Sequence, residues 1–198
     1  MKYYAVRQGR KVGIFTDWDE CKRLVTGYKG AEFKSFTSRE DALVFLEGKQ
    51  NADKDVKPSA DTAVAYVDGS YNVKTKIFSC GVVLLLEDGE EFLSESFDDE
   101  ELASMRNVAG EIKGSMLAME WCIENGFKNL HIFYDYAGIE KWCTGEWKTN
   151  KTGTIEYRKF YDEVSKRLNI GFHKVKGHSG DKYNDMADRL AKDAAGVE

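Results

Sequence analysis

The chain has no run of apolar residues near the roughly 18 that a membrane-spanning helix needs. Its start, Met1-Lys2-Tyr3-Tyr4, leads straight into patterned sequence with no apolar leader, so a cytoplasmic address without a membrane partner is expected. Cysteine is sparse: Cys21, Cys80, Cys122 and Cys143 are scattered and form no CxxC pair. Each falls in a periodic segment, which reads as a buried free thiol in a reducing compartment rather than a zinc ligand. The one proline, Pro58, lies in a stretch from Gly48 to Asp61 that loses its apolar periodicity and reads as an exposed linker. An excess of positive charge is also missing: the net charge of −5 argues against a generic nucleic-acid coat.

What is present is a soluble-type composition, 42% hydrophobic and 32% charged over 198 residues, with sequence enough for one ordinary domain and a small one. The charge is unevenly spread. Residues 1–50 hold ten Lys/Arg against seven Asp/Glu, and the remainder nineteen against twenty-seven. A basic module joined to an acidic one is expected. Residues 3–8 and 12–16 read as two strands around Gly9-Arg10-Lys11, Asp17 as the N-cap of a helix to about Leu24, and 31–36 as a third strand. Ser38 opens a helix carrying Ala42, Leu43, Phe45 and Leu46. The first module is therefore a small ββαβα unit.

The second module opens on Ala63-Val-Ala-Tyr-Val-Asp68-Gly-Ser, an apolar strand that the pattern ends at Asp68 with a glycine turn. Strands follow at 77–86 and 91–97 around Asp88-Gly89, a helix over 104–124, a strand at 130–134 ending at Asp135, and a brief helix near 138–143. A helix over 154–168, a strand at 170–175 and a helix at 183–195 complete a mixed five-stranded α/β sheet with helices on its faces.

Four acids of this module sit in settings that need an explanation. Asp68 and Asp135 end apolar strands, Glu111 lies in the long helix between Gly110 and Gly114, and Asp188 lies in Met186-Ala-Asp-Arg-Leu-Ala. If the first and fourth strands are neighbours, the two strand ends meet and both helices present an acid to the same point. Such carboxylates repel one another and resist ionisation unless divalent cations join them. An all-oxygen ligand set favours Mg²⁺ or Mn²⁺, and two such ions support in-line phosphoryl displacement. Each acid alone is also explained as a surface or capping residue. His178, in Lys176-Gly-His-Ser-Gly, sits in a glycine-bracketed loop suited to proton transfer or product release, or is a plain loop histidine. Asn184 marks the start of the last helix.

Taken in order, Tyr66-Val-Asp68-Gly-Ser, Ala109-Gly-Glu111, Phe133-Tyr-Asp135 and Val175-Lys-Gly-His178-Ser-Gly…Asn184-Asp-Met-Ala-Asp188 resemble the motifs of the type 1 ribonuclease H family. The resemblance covers about residues 62–196 and implies a ribonuclease H-like fold. It implies cleavage of the RNA strand of RNA/DNA hybrids with two Mg²⁺ ions held by Asp68, Glu111, Asp135 and Asp188. His178 takes the part of the flexible-loop histidine, and Asn107 and Asn184 match positions near the substrate. Val108 departs from the polar residue often found beside Asn107. The first module resembles the family's N-terminal hybrid-binding domain through Tyr4-Ala-Val-Arg7-Gln-Gly-Arg10-Lys-Val-Gly, Trp18 and Phe33-Lys34-Ser-Phe36. That likeness makes Trp18 and Phe33 the stacking aromatics, Lys34 a phosphate contact, and Tyr4 and Arg7 further parts of the binding face. Ser35 stands where some members have a second lysine. From the residues alone, a basic face with aromatics points the same way, against the alternative that Trp18 and Phe33 are core.

The expected organisation is a hybrid-binding domain at 1–48, a linker at 49–61 and a catalytic domain at 62–198. The expected function is an RNA/DNA hybrid endonuclease giving 5′-phosphate and 3′-hydroxyl products, with no obligate protein partner. A non-catalytic reader of hybrids or duplex RNA is the alternative. Between the fourth strand and the later helix, Ile139-Glu-Lys-Trp142-Cys-Thr-Gly-Glu-Trp147-Lys is short and holds two lysines. The first module is therefore expected to supply the substrate grip.

Overall fold

In the computed structural model, residues 2–46, 56–175 and 181–197 are described. The chain divides into two compact units, Met1–Val56 and Lys57–Glu198.

The first unit is a three-stranded antiparallel sheet of β1 (Tyr3–Gln8), β2 (Gly13–Phe15) and β3 (Glu32–Phe36) in the order β2-β1-β3. Helix α1 (Trp18–Val25) starts where Asp17 caps it, the carboxylate accepting from Glu20 N at 2.8 Å. The Arg10 guanidinium closes its other end, donating to the carbonyls of Arg23 and Thr26 at 2.9 and 2.7 Å. Val6, Phe15, Cys21 and Val25 form a small core, and α2 (Arg39–Leu46) completes the unit. A core this small buries little apolar surface, so caps and turns that satisfy the backbone weigh more in its stability.

The second unit is a five-stranded sheet in the order β6-β5-β4-β7-β8. Strands β4 (Thr62–Tyr71), β5 (Phe78–Leu86) and β6 (Gly89–Phe97) form an antiparallel meander, and β7 (Asn129–Tyr134) and β8 (Asn169–Lys174) add in parallel beyond β4. The neighbouring positions of β4 and β7 thus meet as the acids' placement requires. Exposed Glu90, Glu91 and Glu95 line β6, charges that discourage pairing at this sheet edge.

Two backbone corrections follow from helix packing. Strand β4 does not stop at Asp68; it runs on through Gly69 and Ser70 to Tyr71. Gly69 is no turn residue. A Cβ there would lie 2.1 Å from Asn107 O and 2.5 Å from Glu111 N, so glycine lets helix α4 (Asn107–Glu124) rest on the strand backbone. One rung away, a Cβ on Gly81 would lie 2.1 Å from Ala187 O of α7 (Lys182–Ala195). Gly69 and Gly81 pair with Cys80 and Asp68 respectively, and side-chain direction alternates along a strand, so the two helices press on opposite faces of one β4–β5 crossing. The second correction concerns the expected helix over 104–124. The observed segment is a short α3 (Glu100–Ala103), a break, then α4 from Asn107, because Arg106 adopts φ 54°.

Gly110 repeats the theme from the helix side: a Cβ would lie 1.9 Å from Ser79 O and 2.9 Å from Gly69 Cα. Gly110→Ala must push α4 off the sheet. The expected loss is about 3 kcal/mol or more of stability, read as a lowered denaturant midpoint.

The remaining elements are α5 (Gly138–Thr144) and α6 (Thr152–Val164), the latter starting two residues before and ending four before the expected 154–168. The end of the expected linker is tied to the sheet: the Asp61 carbonyl accepts from Lys128 N and Asn129 N, and its carboxylate accepts from the Ser59 and Thr62 hydroxyls. All four cysteines are buried free thiols. No described helix is long and apolar enough to cross a membrane.

Candidate active site

Asp68, Glu111 and Asp135 come from β4, α4 and the end of β7, and one ligand oxygen from each lies within 4.8 Å of the others. They are placed by the packing just described. The Gly69 N–H donates to Asp68 Oδ1 at 2.7 Å and fixes that carboxylate against its own strand. Glu111 is pinned because Gly110 and Gly114 seat α4 on β5, leaving its side chain 1% exposed with Oε2 lacking a hydrogen-bond partner. Burial, then the charges of Asp135 and Asp68, push its carboxyl from 4.5 up to about 9. A buried carboxylate oxygen without a donor, beside two further acids, fits a hard divalent cation with oxygen ligands.

Asp188, the fourth expected acid, is not among these three. Its Oδ2 accepts from Lys192 Nζ at 2.7 Å, one turn along α7, and the side chain is 23% exposed. Asn184, one turn before it, is 3% exposed with Oδ1 unpartnered, so an expected contact with nucleic acid falls on a side chain that the fold buries. His178 lies outside the described residues.

Asn107 is exposed at the first position of α4, on a cleft of about 390 Å³ that the sequence reading missed. Arg106, Tyr136, Trp142, Lys148, Asn150 and Lys151 also line it. The Tyr136 backbone N–H points to Glu111, so the cleft opens beside the acids. Tyr136 and Trp142 centroids lie 5.7 Å apart, Trp142 and Trp147 6.1 Å, and Lys141 stands over the Trp147 ring. In this stretch Lys141 pairs with Glu146 at 3.1 Å and Trp142 is buried at 8% exposure, while Trp147 stays exposed.

In the first unit, Trp18 and Phe33 are each 43% exposed and so are not core. Trp18 stands 5.3 Å from Tyr4 and 6.1 Å from Phe33, and the three share a shallow surface with Lys34 and Ser35. Trp18 owes its position to being the first residue of α1, directly after the Asp17 cap. Arg7 is engaged elsewhere within the unit, its Nε 2.6 Å from Glu32 Oε2 and its guanidinium over the Phe45 ring.

Residues 60–196 match the family described as RNase H, and residues 2–46 the one described as the Ribonuclease H1 N-terminal domain. The chain belongs to the ribonuclease H family and is a ribonuclease H, an enzyme of the metal-dependent class that hydrolyses RNA strands in RNA/DNA hybrids. Among its relatives, Ribonuclease H1 of Rattus norvegicus is 24% identical over 257 residues, spanning 98% of this chain and 89% of that protein. A 44-residue stretch, 22% of this chain, is 54% identical to 13% of Ribonuclease H of Saccharomyces cerevisiae. The crystal structure of RNase H1 from Halobacterium salinarum NRC-1 shares the fold, with a TM-score of 0.57 at 24% identity over 67% of this chain and 96% of that one.

Proposed function

We propose that the chain is an endonuclease cutting the RNA strand of RNA/DNA hybrids by a two-metal-ion mechanism, leaving 5′-phosphate and 3′-hydroxyl ends. In this reading residues 1–48 grip the hybrid, 49–61 link, and 62–198 catalyse. The observation that carries it is the meeting of Asp68, Glu111 and Asp135 with ligand oxygens within 4.8 Å, one of them buried and unpartnered. With Asp188 they would hold two Mg²⁺ ions, for which Mn²⁺ would substitute. When bound, the ions would supply an activated water and stabilise the leaving oxygen.

The protein's own part is to hold these carboxylates rigid, through the Gly69 N–H and the close seat of α4. His178 would move a proton from its loop. Asn107, Arg106 and Lys148 would meet the nucleic-acid backbone in the cleft beside the acids. Trp18 and Phe33, exposed beside Tyr4 and Lys34, would stack on sugars of the bound duplex. A hybrid is told from either pure duplex by 2′-hydroxyls on one strand and deoxyribose on the other. No obligate protein partner is called for, and the enzyme would act in the cytoplasm.

A labelled hybrid, duplex RNA and duplex DNA incubated side by side with Mg²⁺ should yield fragments of the hybrid's RNA strand alone. Binding of the hybrid with no fragments would support a non-catalytic reader instead, and cleavage of duplex DNA would reassign the substrate. Removing residues 1–50 should raise KM for a long hybrid far more than it lowers kcat, and make binding less salt-dependent as phosphate contacts go. An unchanged KM and salt slope in steady-state assays would place the grip wholly in the second unit.

A further inference from the structure

Two of the chain's three histidines meet on the sheet, and neither is part of the carboxylate group described above. His131 of β7 and His173 of β8 bring Nδ1 and Nε2 to 2.7 Å, one ring donating and the other accepting. They are not direct cross-strand partners. His131 pairs with Gly171, and His173 with Phe133, whose ring stacks on it at 4.7 Å. The imidazoles reach each other diagonally, and Gly171 makes that possible. A Cβ on Gly171 would lie 2.7 Å from His131 Nδ1 and 3.3 Å from His173 Nε2, so both nitrogens border the space that its missing side chain leaves. His173 is buried at 8% exposure and held by Phe133, while His131 is half-buried with a route to solvent.

We propose that this pair is a second metal site, for a transition ion of the Cu²⁺ or Ni²⁺ type, separate in place and chemistry from the carboxylates. Imidazole nitrogen suits such ions, whereas the carboxylate group suits Mg²⁺. The 2.7 Å separation is that of a hydrogen bond, and it brings both nitrogens to one point on the sheet, as a chelating pair needs. The ion enters over Gly171 from the side of half-buried His131, whose ring turns to meet it beside His173. The bridging proton passes to the other nitrogen of its own ring, so both histidines stay neutral. One ion then clamps β7 to β8, and binding to the folded state alone raises stability.

Cu²⁺ titrated into the full chain, with excess Mg²⁺ to occupy the carboxylates, should show one ion with the electron paramagnetic signature of two imidazole nitrogens and a raised Tm. His131→Gln and His173→Gln should each weaken binding about 30-fold or more, because each leaves a single ligand in place of a chelating pair. Gly171→Ala keeps both histidines but fills the space between them, and should lose the two-nitrogen signature as well. Circular dichroism of each variant establishes that it is folded. Affinities within about threefold of the unmodified chain in both histidine variants, or a two-nitrogen signal surviving in either, overturns the proposal.

Discussion

Asp68→Asn should leave a folded protein that binds a hybrid as before and cleaves it about 10³-fold or more slowly. Asparagine fills the same volume and can still accept from the Gly69 N–H through its carbonyl oxygen, so β4 and the α4 seat are undisturbed. What it removes is one negative charge from the group of three and an anionic ligand oxygen. In the proposed reading hybrid affinity would rest on other parts: Arg106, Asn107 and Lys148 in the cleft, and the aromatic surface around Trp18. The change should therefore appear in kcat and scarcely in the hybrid dissociation constant, measured by single-turnover cleavage and by fluorescence anisotropy. Near-normal cleavage by this variant would remove Asp68 from the site.

Glu111→Gln should also abolish cleavage, yet make the metal-free protein more stable at pH 8, by roughly 1–3 kcal/mol. The folded carboxyl is raised to about 9 from an ordinary 4.5, chiefly by burial. Between those values the folded chain keeps a proton that the unfolded chain has lost, so metal-free stability falls as pH rises through that window. Below it both states are protonated and the dependence vanishes. Glutamine resembles the neutral acid and removes the slope. A divalent ion has the opposite effect on the native protein, since it favours the ionised carboxylate that burial disfavours. Tm measured at pH 5 and pH 8, with and without Mg²⁺, should show a Mg²⁺ gain in the unmodified chain at pH 8 and little in the variant. An equal gain in both would mean that Glu111 takes no part in holding the ion.

The sheet could be read ahead of the structure because both units carry short strand-forming apolar runs separated by turn chemistry, and the cap at Asp17 lies where the helix signal places it. The acids were legible for a related reason: a carboxylate within an apolar strand, or between two glycines on an apolar helix, requires a charge-balancing partner. What could not be read came from tertiary packing. Asp68-Gly69-Ser70 has the composition of a turn, yet it is strand because α4 takes the space a side chain would fill. The break at Arg106 depends on a positive φ for which its residue type carries no signal. The Asp188–Lys192 pair has ordinary i, i+4 spacing and was open to inspection, but nothing local says that this acid faces a cation while the other three face one another.

The carboxylate group as a two-ion site is tested most directly by counting ions. Mn²⁺ titrated into the Asp135→Asn and Glu111→Gln variants and the unmodified chain, each with a non-cleavable hybrid, can be followed by electron paramagnetic resonance. The unmodified complex should take up two spin-coupled Mn²⁺ ions, and each variant should lose the coupled signal. A single uncoupled Mn²⁺ in the unmodified complex, or coupling that survives Glu111→Gln, would contradict a pair of ions held by Asp68, Glu111 and Asp135.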